Sequence, residues 1–171
     1  MNAFVLAVPS RCIGCRACEI ACVDAHMKSD MGQAMEQGQP FSPRISVIRE
    51  SGVTAPIQCR QCEDAPCAKA CPVDAIRCDG KSVAIDAELC FGCKACLAAC
   101  PFGAMQVGMV NWESEAPVAH KCDLCSGYRD KPACVSVCPA GALSVFSNES
   151  LKKLSVSKRR ETARLMVYDG N

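Results

Sequence analysis

The sequence predicts an α+β fold of short antiparallel hairpins and short helices, mostly irregular and ending in a C-terminal helix, organised by metal rather than by a large apolar core. Three observations predict it. Of 17 cysteines in 171 residues, sixteen fall into four runs of four, strand-and-turn phrases recur after the runs, and aromatic residues make up only 5% of the chain. About 43 residues per run is too few for an independent hydrophobic core at each, and chains below about 40 residues usually need metals or disulfides.

The first run is Cys12, Cys15, Cys18 and Cys22, and the second is Cys59, Cys62, Cys67 and Cys71. The third is Cys90, Cys93, Cys96 and Cys100, and the fourth is Cys122, Cys125, Cys134 and Cys138. In the tightest runs, three thiolates within seven residues can wrap three iron corners of one cubane and leave backbone N–H groups for its sulfides. The fourth cysteine, three residues on, heads for the other cluster of a pair. The runs therefore read as ligation for four [4Fe-4S] clusters, in a protein that carries electrons.

Two other uses of cysteine fit less well. A disulfide scaffold suits an oxidising compartment, but the opening MNAFVLAVPSRC has no basic n-region, long apolar stretch or A-x-A cleavage site, and the cysteine count is odd. Structural zinc commonly takes paired CxxC knuckles, which leaves Cys18 and Cys96 without a purpose.

Along the chain, Met27, Met31 and Met35 recur at helical spacing and read as packing, before Gly38, Pro40 and Pro43 break the pattern. Ile45 and Val47 then alternate with polar residues as a short strand. The second run continues CPVDAIRCDGKSVAID, the third CPFGAMQVGM and the fourth CPAGALSVFS. Each phrase reads as a turn after the proline, a short apolar stretch and a strand, with Asp79-Gly80 marking a hairpin. Pro72, Pro101 and Pro139 follow the last cysteine of three runs, fixing φ and removing a donor where the chain turns. Val23 stands in that place in the first run, which reads as a local change in turn geometry that leaves the ligand in place. Cys78 lies outside all runs and reads as a spare thiol on the hairpin. His26 and His120 read as structural hydrogen-bonding residues, with no carboxylate motif making a catalytic group of either. Trp112 suits a local core or a wedge into a neighbouring subunit equally. The tail KKLSVSKRRETARLM carries Lys152, Lys153, Lys158, Arg159, Arg160 and Arg164. It reads as a helix capped by Ser155 or Ser157, either a solvated surface helix or one that docks on an acidic subunit.

The phrases CIGCRACEIAC, CRQCEDAPC, KCDLCSGYRDKPAC and SKRRETA, together with the order and gaps of the runs, resemble the four-cluster ferredoxin-type iron-sulfur subunits of molybdenum and tungsten oxidoreductases. Among these they are most similar to the formate hydrogenlyase iron-sulfur subunit and the electron-transport protein associated with formate dehydrogenase H. The resemblance implies two interlocked dicluster ferredoxin-like units. The outer unit takes residues 1–55 and 105–150, the central unit takes 56–104, and the basic tail takes 151–171. It also implies crossed ligation. One cluster falls to Cys12, Cys15, Cys18 and Cys138, and a second to Cys59, Cys62, Cys67 and Cys100. A third falls to Cys90, Cys93, Cys96 and Cys71, and the last to Cys122, Cys125, Cys134 and Cys22. The implied partners are a molybdopterin-dependent formate dehydrogenase catalytic subunit and a hydrogenase or second iron-sulfur subunit, in a cytoplasmic hetero-oligomer. A maturation accessory for formate dehydrogenase, or the electron subunit of a sulfur-compound or sulfoxide reductase, is left open by the same residues.

Other classes are excluded on the sequence. No GxGxxG, P-loop or nucleophile elbow offers a nucleotide or acyl-transfer site, and no stretch of about 18 apolar residues offers a membrane span. The formal charge of +1 becomes about −7 once sixteen thiolates and four oxidised cores are counted. Near-neutral composition is thus no sign of nucleic-acid binding.

Overall fold

The computed structural model describes residues 2–27, 29–80, 82–109, 116–127 and 130–168. Trp112 lies outside the described residues. A strand enters each cysteine run, a short helix grows out of it, and another strand leaves it. In the first run these are β1 (Phe4–Ala7), α1 (Ala17–His26) and, after α2 (Met31–Glu36), β2 (Ile45–Glu50). In the second they are β3 (Val53–Gln58), α3 (Pro66–Lys69) and β4 (Ile76–Cys78). The third has β5 (Val83–Ile85), α4 (Ala95–Ala99) and β6 (Gln106–Gly108). The fourth has β7 (Val118–His120), α5 (Ala133–Val137) and β8 (Leu143–Phe146), and the chain ends in α6 (Asn148–Tyr168).

The pairing makes a cycle. The strand leaving each run pairs antiparallel with the strand entering the next, as β2 with β3, β4 with β5 and β6 with β7. The last strand, β8, returns to β1, with Val145 opposite Val5 and Phe146 stacked on Phe4. Two-stranded sheets this small are marginal alone, so their inner faces must pack on something else. They pack on cysteine. One core holds Val5, Ile45, Val47 and Leu143 against Cys18, Cys22 and Cys134, and a second holds Ile76, Val83, Met105 and Ala119 against Cys67 and Cys96.

Helix ends follow the prolines. A residue before proline is pushed out of the α region, and Cys100 (ψ 114) and Cys138 (ψ 107) are extended, closing α4 and α5 on the spot. Because Val23 imposes no such stop, α1 runs on to His26.

Two local expectations need adjusting. Met27 terminates α1 in extended geometry instead of joining one helical face with Met31 and Met35, and Met35 is exposed, so the face is not a packing seam. The C-terminal helix begins at Asn148, not near Ser155 or Ser157. Ser147 and Ser150 cap it reciprocally, the Ser147 amide donating to Ser150 Oγ at 2.7 Å and the Ser150 amide to Ser147 Oγ at 3.3 Å. The Asp79-Gly80 hairpin forms as expected, with β4 paired to β5 and the Ser82 amide donating to the Asp79 carboxylate. No described helix is long and apolar enough to cross a membrane.

Candidate metal centres

The third cysteine of every run, Cys18, Cys67, Cys96 and Cys134, is the second residue of a helix, and all four are buried. The second residue between the first two cysteines has positive φ in all four runs: Gly14 (69°), Gln61 (51°), Gly92 (73°) and Leu124 (62°). Arg16 and Lys94, just after the second cysteine, are left-handed as well. Left-handed residues alternating with right-handed ones turn successive amide N–H groups to one side and form a concavity that takes anions, a common arrangement at iron-sulfur sites. For side chains that carry a Cβ this conformation costs about 1–2 kcal/mol per residue, and such strain gathers at functional sites.

Amides also reach the sulfurs directly. Ala75 donates to Cys71 Sγ at 3.3 Å, Ala104 to Cys100 Sγ at 3.4 Å and Ala142 to Cys138 Sγ at 3.3 Å, each the alanine four residues on in a CPxxA phrase. Cys22 lacks the proline turn and takes its donor from the Arg44 amide at 3.3 Å. Ala119 and Gln61 donate to Cys90 and Cys59 at 3.3 and 3.4 Å. Donors aimed at sulfur suit thiolates, whose charge the bonds stabilise.

The runs meet in pairs. A small cavity of about 20 Å³ is lined by Cys90, Cys93 and Cys96 of the third run together with Cys71 of the second. Cys62 and Cys67 lie within electrostatic reach of both Cys59 and Cys100. Cys134 lies within reach of Cys122, Cys22, Cys125 and Cys18, and Cys138 packs against the core that contains Cys18. The sulfurs are spread too widely for zinc. A tetrahedral site with Zn–S near 2.3 Å sets sulfurs about 3.8 Å apart, yet among the described residues the one donor trio within 4.8 Å is His26, Asp123 and Cys125. The donor set, all thiol with inward amides, fits a polynuclear cluster.

Burial pushes the free thiols up: Cys18 and Cys67 to about 11, Cys122 to about 12, and Cys62, Cys96 and Cys134 in the same direction. Iron must therefore displace protons when it binds.

Several polar residues around the runs were not visible from spacing. Asp123 accepts from His26 Nε2 at 3.0 Å, from the Cys125 amide at 2.9 Å and from the Arg44 guanidinium. Burial alone would lower His26 and raise Asp123. Their mutual hydrogen bond, joined by Cys22 on the histidine and Arg44 on the carboxylate, instead carries His26 to about 10 and Asp123 to about 2. A carboxylate does therefore meet His26, whose Nδ1 also holds the Cys22 carbonyl at 2.7 Å, so the histidine acts as a structural pin. His120 bonds Ser42 Oγ at 2.8 Å and Gln106 Oε1 at 3.0 Å. The buried Gln61 and Lys121 sit between the second and fourth runs, and only the polar letters inside CRQC and KCDLC hinted at them. Cys78 ends β4 in solvent, outside these groups.

A family model described as a 4Fe-4S dicluster domain matches residues 51–148, and one described as a 4Fe-4S binding domain matches residues 9–23. The electron transport protein HydN of Escherichia coli (strain K12) is 43% identical over 173 residues, covering 95% of this chain and 98% of that protein. The putative electron transport protein YsaA of the same strain is 43% identical over 153 residues, covering 90% of this chain and 95% of that one. Hydrogenase-4 component A, also from that strain, is 34% identical over 202 residues, covering 99% and 95%.

Proposed function

Because the chain belongs to the 4Fe-4S dicluster family of ferredoxin-type electron-transfer proteins, we propose that it relays electrons between the catalytic subunit of a molybdenum or tungsten formate dehydrogenase and a second redox module such as a hydrogenase. Its relatives are named as electron transport proteins, and the chain is an electron carrier without catalysis of its own. In this reading four [4Fe-4S] clusters are bound with crossed ligands. The first and fourth runs form an outer unit, and the second and third a central one. A hydrogenase component among the relatives favours a hydrogenase-type partner, and the formate dehydrogenase partner rests on the phrases CIGCRACEIAC and SKRRETA.

The observation that carries the relay is the gradient of burial. Cys15 and Cys93 are exposed, whereas Cys59, Cys67, Cys125 and Cys134 are buried, and Cys122 of the fourth run lies within electrostatic reach of Cys59 of the second. This supports a wire running from the Cys12 cluster through the Cys122 and Cys59 clusters to the Cys90 cluster. Its two ends are open to partners and its middle is shielded from water, with potentials set by exposure and hydrogen bonds to sulfur. The protein would act in the cytoplasm as part of a hetero-oligomer.

Anaerobic pull-down of the iron-loaded chain with mass spectrometry of its partners tests the reading. A stoichiometric, salt-resistant complex with a molybdopterin subunit is expected. Transient association alone would indicate an accessory role, and co-purification of a membrane anchor would indicate a sulfoxide or sulfur-compound reductase. Iron well below about 16 atoms per chain would contradict the four-cubane count that complete Cys₄ ligation requires.

A further inference from the structure

Lys121 follows β7 and precedes the fourth run, and only 3% of its surface meets solvent. Its Nζ donates to the carbonyl of Val83, to that of Cys122 at 3.1 Å and to Gln61 Oε1 at 3.3 Å. All three acceptors are neutral. The ion pairs among the described residues involve Arg16, His26, Arg44, Lys69 and Lys153, and none reaches Lys121. A buried ammonium without a counter-charge is expensive, and native proteins pair such groups or neutralise them.

The surroundings suggest where the missing negative charge lies. Cys122 is the next residue and its carbonyl accepts from Nζ, while on the other side Nζ meets the side chain of Gln61, which stands between Cys59 and Cys62. Cys122 belongs to one of the two middle clusters of the proposed wire, and Cys62, next to Gln61, to the other. A cubane held by four thiolates carries about −2 when oxidised and about −3 after accepting one electron. A fixed positive charge in a low-dielectric setting favours the more negative form.

We propose that Lys121 is the shared buried counter-ion of the cluster on Cys59, Cys62, Cys67 and Cys100 and the cluster on Cys122, Cys125, Cys134 and Cys22, and that it raises the reduction potential of both. It is a positioning residue in the electrostatic sense: it supplies no ligand and acts through its field. The role rests on the crossed ligation proposed above. Gln61 holds the ammonium in place. Its Nε2 donates to the Cys122 carbonyl at 2.7 Å and its Oε1 also accepts from the Val83 amide at 2.9 Å, so the side chain cannot swing away from Nζ without breaking both bonds.

The experiment is a potentiometric titration of the iron-loaded protein followed by EPR, with iron content measured on each sample. In Lys121→Gln, two of the four clusters should fall in potential by about tenfold in the reduction equilibrium, about 59 mV for one electron, while the other two stay put. Lys121→Arg should restore the wild-type values. Lys121→Met is the second variant: it keeps the apolar stem and removes only the ammonium, and should lower the same two clusters. If Lys121→Gln loses iron, Lys121→Met, which buries no unpaired amide, decides the outcome by itself. Full iron with unchanged potentials in the variants overturns the role of Lys121 while leaving the clusters intact. Wild-type protein without four clusters overturns the reading beneath it.

Discussion

The sulfur of Cys22 takes its hydrogen bond from the amide of Arg44, at 3.3 Å and 22 residues away, where Cys71, Cys100 and Cys138 each take theirs from the fourth residue along. One missing proline accounts for the difference. With Val23 after Cys22, α1 runs on to His26, so the amide four residues on is spent inside the helix and the donor must come from elsewhere.

Restoring the proline should therefore do harm at this one run. In Val23→Pro the ring meets the carbonyl of Glu19 and a helical hydrogen bond is lost, at a cost of about 3 kcal/mol. The change also withdraws His26 from Asp123, which is 3.0 Å away. Iron analysis and EPR of the purified variant should show loss at the Cys22 site, with the clusters of the second and third runs retained.

Gly92 and Gly80 should respond differently to the same substitution. A Cβ on Gly92 would collide with the Pro117 carbonyl oxygen, and φ there is +73°, so Gly92→Ala combines backbone strain with a clash against main chain. Gly80, at φ +81°, has open space, and Gly80→Ala carries only the left-handed penalty of about 1–2 kcal/mol. Thermal loss of the cluster absorbance should come many degrees earlier in Gly92→Ala and only slightly earlier in Gly80→Ala.

Much of the architecture was legible because cysteine spacing and CPxxA phrases are local and chemically narrow. Each phrase gave its turn and strand, at β4, β6 and β8. What stayed hidden depends on distant partners. The strand β3 was masked by Thr54, Gln58 and Pro56, although the Ser51-Gly52 turn before it has the positive φ values, 30° and 84°, of a tight hairpin. Ser147 was passed over as a cap because Ser155 and Ser157 stand closer to the basic run. Asp123, Gln61 and Lys121 read as ordinary polar letters between cysteines, since nothing in spacing says that a side chain is buried 60 residues from its partner.

Cys78 should behave as the chain's one disposable thiol. It is exposed at the end of β4 and paired in register with Val83, away from the sixteen run cysteines. Cys78→Ser should leave iron content and EPR unchanged. Anaerobic alkylation of the iron-loaded wild type, read by peptide mass spectrometry, should label Cys78 and spare the run cysteines.

The crossed ligation is testable one cysteine at a time. Cys71 belongs to the second run by sequence but lines the cavity of Cys90, Cys93 and Cys96. Cys71→Ala should therefore remove or degrade the cluster of the third run and leave the one on Cys59, Cys62 and Cys67. Cys100→Ala should do the reverse. Spectra in which each substitution damages its own run would overturn the crossing.

Removing the metal should dismantle the fold, because cysteines occupy the cores that support it. In the first core Cys18, Cys22 and Cys134 are three of seven buried members, and in the second Cys67 and Cys96 are two of seven. With iron gone these side chains surround empty space, and small cavities in apolar cores already cost several kcal/mol. Metal-binding energy here doubles as folding energy. Chelation under anaerobic conditions should abolish the near-UV dichroism and much of the far-UV signal, and an apo form with intact tertiary signal would contradict this. The pH dependence has a fixed sign. The free thiols are protonated, with burial holding Cys122 at about 12 and Cys67 at about 11, while the iron-bound thiolates carry no protons. The apo state thus binds more protons, so the loaded state gains stability as pH rises. At a fixed chelator concentration, iron should leave faster at pH 6 than at pH 8, which a stopped-flow record of cluster absorbance would measure.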